Sequence, residues 1–416
     1  MDARRTMRAV VRTFIALASA AALVGTGFVW SLHQRVDTAV VASDAAIPSP
    51  RPTPAGEAFT ALLVGLDART DAQGAPLPPA LLDALHAGPD EGQLHTDTII
   101  LVHVPAGPGE PATAISIPRD SFVPIAGDHG THKINSAYRR GMQDAEETLR
   151  AQGVDGAELD QRAREAGRRT LVATVRQLTG VRIDHFAEIG MAGFVELTEA
   201  LGGVPVCLNA PVRDSYSGVD LPAGQHLVSG AGALAFVRQR HGLSDGDLDR
   251  IARQQAFAAG LAQRVLAPST LTDPARLQRL VDIATRYVVL DRGWDLDQAL
   301  SQMRRVTGDA LTFHTIPTGR PDLRTPVDGI AVEIDGDAVR TFVGSLMGSA
   351  VPPTTTPGPS ATPAPSPATP PTTARPADDD DPITVQRADA TETNRSPAPS
   401  TSNPPVITAE GVPCVD

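Results

Sequence analysis

Between residues 57 and 350 the apolar positions fall into two kinds of run. "FTALLVGLD", "TIILVHV" and "ATAISIP" are short, rich in β-branched residues and closed by Gly, Pro or Asp, a pattern that predicts central strands. "SAYRRGM", "ELDQRAREAGRRTLVATVRQL" and "MAGFVELTEAL" repeat apolar residues at helical spacing, and "GGVPVCL" reads as a further strand. In the stretch Ala233 to Gln255, "ALAFVRQRHGLSDGDLDRIARQQ", the segment "LAFVRQR" reads as extended, which puts Arg238 and Arg240 on one strand face. The following "DRIARQQAFAAGLAQRVL" has helical spacing, with Arg250, Arg253 and Gln254 three and four residues apart on one face. Residues 275 to 345 add helices and the strand "ALTFHTIPT". Strands and helices that intermix in this way predict an α/β fold, a three-layer α/β/α-type sandwich around a central mixed sheet.

The flanks read differently. Residues 13–32, "TFIALASAAALVGTGFVWSL", carry no charge and follow Arg4, Arg5, Arg8 and Arg12. That length matches a bilayer-spanning helix, and the basic flank keeps residues 1–12 cytoplasmic and the rest of the chain outside. A cleavable signal peptide shares the basic start, but here apolar sequence continues past the small alanines to Trp30, which favours an uncleaved single-pass anchor. Residues 33–56 form a Pro-rich stalk and residues 351–416 a Pro/Thr/Ser-rich, acidic tail whose composition predicts disorder. Residues 57–350 are left as one extracytoplasmic domain. The net charge of −12 offers no basic field for nucleic acid. Cys207 and Cys414 are too few for a disulfide scaffold, and one bridge or two free thiols fit them equally.

Candidate chemistry collects at strand ends. Asp67 follows "LLVGL" and Asp97 precedes "TIILVHV", so each carboxylate ends an inner strand. Two such carboxylates suit magnesium, a hard ion that keeps water and shares substrate oxygens, although each aspartate alone is also an ordinary turn cap. Arg119 and Asp120 sit just past a third strand, and Lys133 and Asn135 precede a helix. The arginines of the 233–255 stretch suit a polyphosphate, because a guanidinium grips phosphate with two parallel hydrogen bonds and keeps its charge. The same density of charge also suits a solvated helix face that pairs its own ions.

Five elements, "LLVGLDART", "HTDTIILVHV", "SIPRDSFVPI", "HKINSAYRRG" and "ALAFVRQRHGLSDGDLDRIARQQAF", stand in an order that resembles the LytR-CpsA-Psr family of bacterial cell-wall proteins. The resemblance spans about Phe59 to Phe257. It implies an α/β fold that holds a polyprenyl chain in an apolar pocket with its pyrophosphate at the mouth, and transfer of a lipid-carried glycopolymer to peptidoglycan. Carried over residue by residue, it makes Asp67 and Asp97 magnesium ligands and Arg119, Arg238, Arg240 and Arg250 pyrophosphate ligands. Lys133, Asp247 and Gln254 match further polar positions, Arg69 joins them, and Asp247 is the candidate general base. One departure is His95, which stands where the family usually has arginine; it weakens phosphate binding, makes it pH-dependent or passes the duty to another residue. A polyprenyl-pyrophosphate phosphatase and a non-catalytic lipid-binding or regulatory module are the alternative functions.

Overall fold

The computed structural model describes residues 35, 40–46, 57–88, 94–107, 110–239, 247–292, 294, 311–348, 407–408 and 413–415. Its first elements are β1 (Val41–Ser43), β2 (Phe59–Leu66), α1 (Pro79–Ala84), β3 (Thr96–Val104), β4 (Ala112–Ser116), β5 (Ser121–Pro124) and β6 (Thr131–Lys133). The chain continues through α2 (Ala137–Ala151), α3 (Gly156–Thr179), β7 (His185–Gly190), α4 (Met191–Ala200), β8 (Val204–Leu208), β9 (Val212–Asp214), β10 (Val219–Leu221) and β11 (Gly224–Val228). There follow α5 (Gly230–Arg238), α6 (Asp247–Leu266), α7 (Pro268–Leu271), α8 (Pro274–Tyr287), β12 (Val288–Asp291), β13 (Leu311–Thr315), β14 (Leu323–Thr325) and β15 (Gly329–Glu333). Last come α9 (Gly336–Leu346), β16 (Ile407–Thr408) and β17 (Cys414–Val415).

Eight strands form a mixed sheet in the order β1-β12-β7-β2-β3-β4-β13-β16. The β2–β7 and β4–β13 pairs are parallel, while β3 runs antiparallel to both its neighbours, β2 and β4. Alternation along β2 buries both faces. Leu62, Val64 and Leu66 join one core with Tyr138 of α2 and Leu171, Val172 and Val175 of α3. Leu63, pointing the other way, packs with Ala258 and Ala259 of α6 and Phe313 of β13. Helices therefore cover both sides, the arrangement that near-continuous apolar strands require. A four-stranded sheet, β14-β15-β5-β6, and the β11-β8-β17 sheet are separate from the large one.

The α2–α3 pair is close because it is small where it meets. A Cβ at Gly167 would lie 2.6 Å from the carbonyl oxygen of Tyr138, and one at Gly141 would overlap the Thr170 side chain. Directly after Gly167, α3 sends a charge into the core. Arg168, 4% exposed, donates through Nε and Nη2 to both carboxylate oxygens of Glu188 on β7, at 3.0 and 3.1 Å. A fork-to-carboxylate pair of this geometry satisfies both groups, and a buried ion that loses its partner is costly.

Both flanks are shorter than composition predicts. Val41–Ser43, assigned to the stalk, is the edge strand beside β12, and Ala45 and Ala46 lie in the main core. The Pro run that marks the stalk starts only after them; "VVAS" is β-branched and apolar enough to add a strand. At the other end Cys414–Val415 pairs with β8, and Cys414 is bridged to Cys207. No helix among the described residues is long and apolar enough to cross a membrane, and the anchor segment 13–32 lies outside those residues. The low-complexity residues 352–403 likewise lie outside them.

The buried pair makes a test of this core. Arg168→Ala should lower unfolding free energy by about 3–5 kcal/mol, since Glu188 is left buried and uncompensated, and adding Glu188→Leu should recover most of the loss. Urea denaturation of the two variants measures both effects; equal stability of Arg168→Ala and wild type would refute the assignment.

Candidate active site

The site begins with strand pairing. Along β2 and β3 the register runs evenly to Gly65 opposite Thr98, then shifts so that Leu66 faces Thr96. Asp67 N donates to the His95 carbonyl at 2.9 Å just beyond. Asp67 thus leaves β2 where Asp97 enters β3, and both carboxylates stand at one end of the sheet. Gly65 fits this approach, because a Cβ there would already be 3.1 Å from Cβ of Thr98. Arg69 Nη1 is 3.7 Å from Asp67 Oδ2, while its Nη2 is tied to the Ala87 carbonyl at 2.6 Å. Asp67 Oδ1 is buried with no hydrogen-bond partner among the described residues.

Cations surround the second carboxylate. Arg119, one loop beyond β4, places Nη1 2.7 Å from Asp97 Oδ1. Arg250, 2% exposed on the first turn of α6, and Arg238 at the end of α5 add charge from the helices. Burial pushes the Asp97 carboxyl up, but Arg119, Arg250 and Arg238 outweigh it and hold the group below its ordinary range. Asp67 goes the opposite way: burial and the neighbouring Asp97 charge raise it, against smaller opposing effects of Arg69, Arg238 and His95. Two adjacent carboxylates with opposite shifts are a common mark of a working site. Lys133 Nζ completes the rim, 3.3 Å from Asp120 Oδ1, and the other oxygen of that carboxylate, Oδ2, lies 3.8 Å from Arg119 Nε.

All of these groups but Arg69 line a cleft of about 510 Å³, with His95, Asn135 and Ser136 on its wall. Asp67, Asp97, Arg238 and Arg250 also border a narrow slot of about 70 Å³ whose other walls include Leu66, Ile189, Met191, Phe194, Leu234 and Val237. A charged mouth thus opens beside an apolar slot. The donor set fits magnesium: Asp67 and Asp97 are hard oxygen ligands, Asp67 Oδ1 has no partner among the described residues, and the ion ordinarily completes its shell with water and substrate phosphate. Among the described residues no group of three or more His, Cys, Asp or Glu gathers in a metal-holding arrangement.

Most residues expected at the site come together, by partly different routes. Arg238 is not on a strand; Gly230–Arg238 is helical, and Arg238 closes it with Nη1 donating to the Leu85 carbonyl at 3.1 Å. The extended reading starts too late in the segment: counted from Gly230, Ala233, Leu234, Phe236 and Val237 repeat at helical spacing against α4 and α6. Arg240 lies outside the described residues, as do Gly246 and the side chain of Asp247, the first residue of α6. Gln254 borders the slot and reaches the Val237 carbonyl at 3.5 Å. Arg253, grouped with Arg250 by spacing, is fully buried instead, hydrogen-bonded to the Gln239 side chain and 5.6 Å over the Phe236 ring. It fastens α6 to α5. Sequence reasoning passed over Asp214, Tyr216, Ser217 and Asp328 in the cleft wall. They sit in "RDSYSGV" and "TPVDGI", polar turn sequences with no signal that separates them from any other hairpin.

Comparison with known proteins follows the same lines. The chain is 44% identical over 292 residues to the cell wall biosynthesis protein LcpA of Corynebacterium glutamicum, covering 70% of this chain and 56% of that protein. It is 28% identical over 217 residues to the polyisoprenyl-teichoic acid–peptidoglycan teichoic acid transferase TagU of Enterococcus faecalis, covering 52% of this chain and 57% of that one. The chain thus spans little more than half the length of these relatives. Among solved structures, TagV of B. subtilis shares the fold, with a TM-score of 0.51 at 20% identity over 71% of this chain and 99% of that one. The LytR_cpsA_psr family model matches residues 31–340, and the chain belongs to that family.

Proposed function

We propose that this chain is a membrane-anchored, magnesium-dependent phosphotransferase that moves a glycopolymer from a polyprenyl-pyrophosphate carrier to peptidoglycan through a phosphodiester link. The observation that carries the reading is the meeting of Asp67 and Asp97 with Arg119, Arg238 and Arg250 at the mouth of an apolar slot. A pyrophosphate attached to a prenyl chain needs both surfaces at once. The transferase name of the E. faecalis relative points the same way. The uncharged run of residues 13–32 behind four arginines would keep the site at the membrane surface, where such a carrier resides.

The chain's own groups account for most of the chemistry. The guanidinium groups of Arg119, Arg238 and Arg250 grip the phosphates and offset the charge that gathers on transferring and leaving oxygens, which is the main task in phosphoryl transfer. Lys133 extends the cationic rim, Arg69 backs Asp67 at 3.7 Å, and Gln254 lines the slot. Magnesium held by Asp67 and Asp97 would supply Lewis-acid polarisation of the phosphoryl oxygens. The attacking group is a peptidoglycan hydroxyl, and no protein nucleophile is needed. Hydrolysis of the same donor is the competing reading, and the two separate cleanly: incubation of the full chain with lipid-linked glycopolymer should yield polymer bound to peptidoglycan, whereas phosphate release without acceptor at the same rate would mark a phosphatase.

Three outcomes follow from the electrostatics. Asp67 is raised by burial and by Asp97, so the folded state holds its proton more tightly than the unfolded chain and stability declines as pH rises through that interval. Asp67→Asn should therefore melt a few degrees higher than wild type without metal at neutral pH, a shift typical of about 1 kcal/mol, while losing most turnover. Magnesium should raise the melting point of wild type and leave that of Asp67→Asn unmoved. A variant that melts lower, or still responds to magnesium, would exclude the pairing.

The same shift sets the acid side of activity. Asp67 must be ionised to hold the metal, so magnesium affinity should fall as pH drops through a value above the ordinary aspartate pKa of about 3.9, while Asp97 stays ionised. Titration of metal binding against pH checks this; a midpoint at or below the ordinary value would contradict it.

Arg238 and Arg250 face one anion. Each alanine variant should weaken polyprenyl-pyrophosphate binding by about ten- to a hundred-fold, while uncharged polyprenol binds as before. The double variant should lose less than the product of the single losses, because the two contacts share a ligand. Equal losses for both lipids would instead indicate a role in packing.

A further inference from the structure

The cleft is larger than a pyrophosphate needs, and its far wall carries a carboxylate without an assigned task. Resting on the transferase reading, we infer that Asp328 is the catalytic base that receives the proton of the acceptor sugar's hydroxyl.

The side of attack follows from the slot. Asp67, Asp97, Arg238 and Arg250 border both cleft and slot, so the prenyl side of the pyrophosphate leaves in the direction of the slot. In phosphoryl transfer the attacking and leaving oxygens lie roughly in line, so the hydroxyl arrives from the part of the cleft that the slot does not share. Among the described residues, three carboxylates line that part: Asp120, Asp214 and Asp328.

Two of them are engaged elsewhere. Asp120 lies 3.3 Å from Lys133 Nζ and 3.8 Å from Arg119 Nε, inside the cation cluster. Asp214 is 4% exposed and accepts from Tyr216 N at 2.9 Å in its own hairpin turn. Asp328 is placed differently. It sits in the tight turn between β14 and β15, where its N donates to Thr325 Oγ1 at 2.9 Å. His132 Nδ1 of β6 holds Asp328 Oδ2 at 2.8 Å. Oδ1 lies 3.9 Å from Arg140 Nη2, beyond hydrogen-bond length, and accepts no hydrogen bond from a described side chain. Arg140 in turn donates through Nε to Ser136 Oγ at 3.1 Å, which ties this turn to the helix start that lines the cleft beside Asn135. One oxygen is thus fixed by an imidazole, while the other carries no such hydrogen bond among the described residues and belongs to a side chain that lines the cleft. An exposed Tyr216 ring, 74% accessible, stands on another hairpin of the same cleft and presents a flat face of the kind sugars stack on.

The step balances without further reagents. The hydroxyl oxygen forms a bond to the phosphorus that carries the glycopolymer, and its proton passes to Asp328 Oδ1. The bond from that phosphorus to the bridging oxygen breaks, and its electron pair leaves with polyprenyl monophosphate. Asp328 then returns the proton to solvent.

The test separates proton transfer from donor binding. With the full chain, lipid-linked glycopolymer and peptidoglycan, Asp328→Asn should slow transfer by about 10²- to 10⁴-fold, the range of general-base contributions, while binding polyprenyl pyrophosphate within about twofold of wild type. Formate should partly restore transfer in Asp328→Ala and leave wild type unchanged, an effect that a merely structural carboxylate would not show. Transfer by Asp328→Asn within threefold of wild type would overturn the inference, as would a loss of donor binding equal to the loss of transfer. If wild type releases phosphate but transfers nothing, the transferase reading falls separately, and the same variants measured on hydrolysis, with water as acceptor, still decide the role of Asp328.

Discussion

Asp67 and Asp97 carry like charge into one partly buried corner because the pairing of β2 with β3 leaves neither backbone room to withdraw. Asp67 N is bound to the His95 carbonyl, and Gly65 is pressed against Thr98. Repulsion between the two is relieved unequally. Arg119 sits directly on Asp97, and Arg250 and Arg238 reinforce it, so one carboxylate is neutralised from three directions while burial and that neighbouring charge make the other harder to ionise. Much of the neighbouring architecture serves this imbalance: α5 ends and α6 begins at the corner, and each delivers an arginine there.

Delivering buried arginines demands a rigid frame. Arg250 and Arg253 enter from one helix turn, yet only the first faces the cleft. The second turns inward, where a glutamine side chain and the face of Phe236 take it. A guanidinium can be buried in this way because its stem packs as hydrocarbon while its fork is satisfied at a few fixed points. On the opposite face of the sheet, Arg168 and Glu188 fix α3 to β7 by the same means. The order of the site is therefore supported by polar contacts well away from it.

How much of this is legible in sequence depends on whether a residue's position follows from periodicity. Asp67 and Asp97 are legible because they close apolar runs, and a run of that kind has few places to go in an α/β domain. Arg250 is legible as a helix residue, but its spacing from Arg253 cannot say which of the two faces ligand, since both lie on a stripe wider than the cleft. Arg238 reads onto a strand because four consecutive apolar residues, "LAFV", satisfy strand and helix alike, and only the spacing counted back to Ala233 decides for helix. Asp328 is not legible at all: an aspartate before glycine in a turn is commonplace, and its meaning arises from β6 and α2, nearly two hundred residues away, which bring His132 and Arg140 to it. The stalk boundary erred because proline content marks where folding must have stopped, not where it stops.

The bridge between Cys207 and Cys414 changes the topology of everything between them. The Pro/Thr/Ser-rich stretch after α9 is no free end: its far side returns to β8 as β17 and is fastened there covalently. It is an arc of a closed ring. A protease that cuts once inside residues 349–406 would open that ring without shedding a fragment, and the severed piece would depart only after reduction. Gels run with and without thiol would thus show different molecules from the same nicked sample, and the unreduced mass would differ from that of the uncut chain only by the water added on hydrolysis.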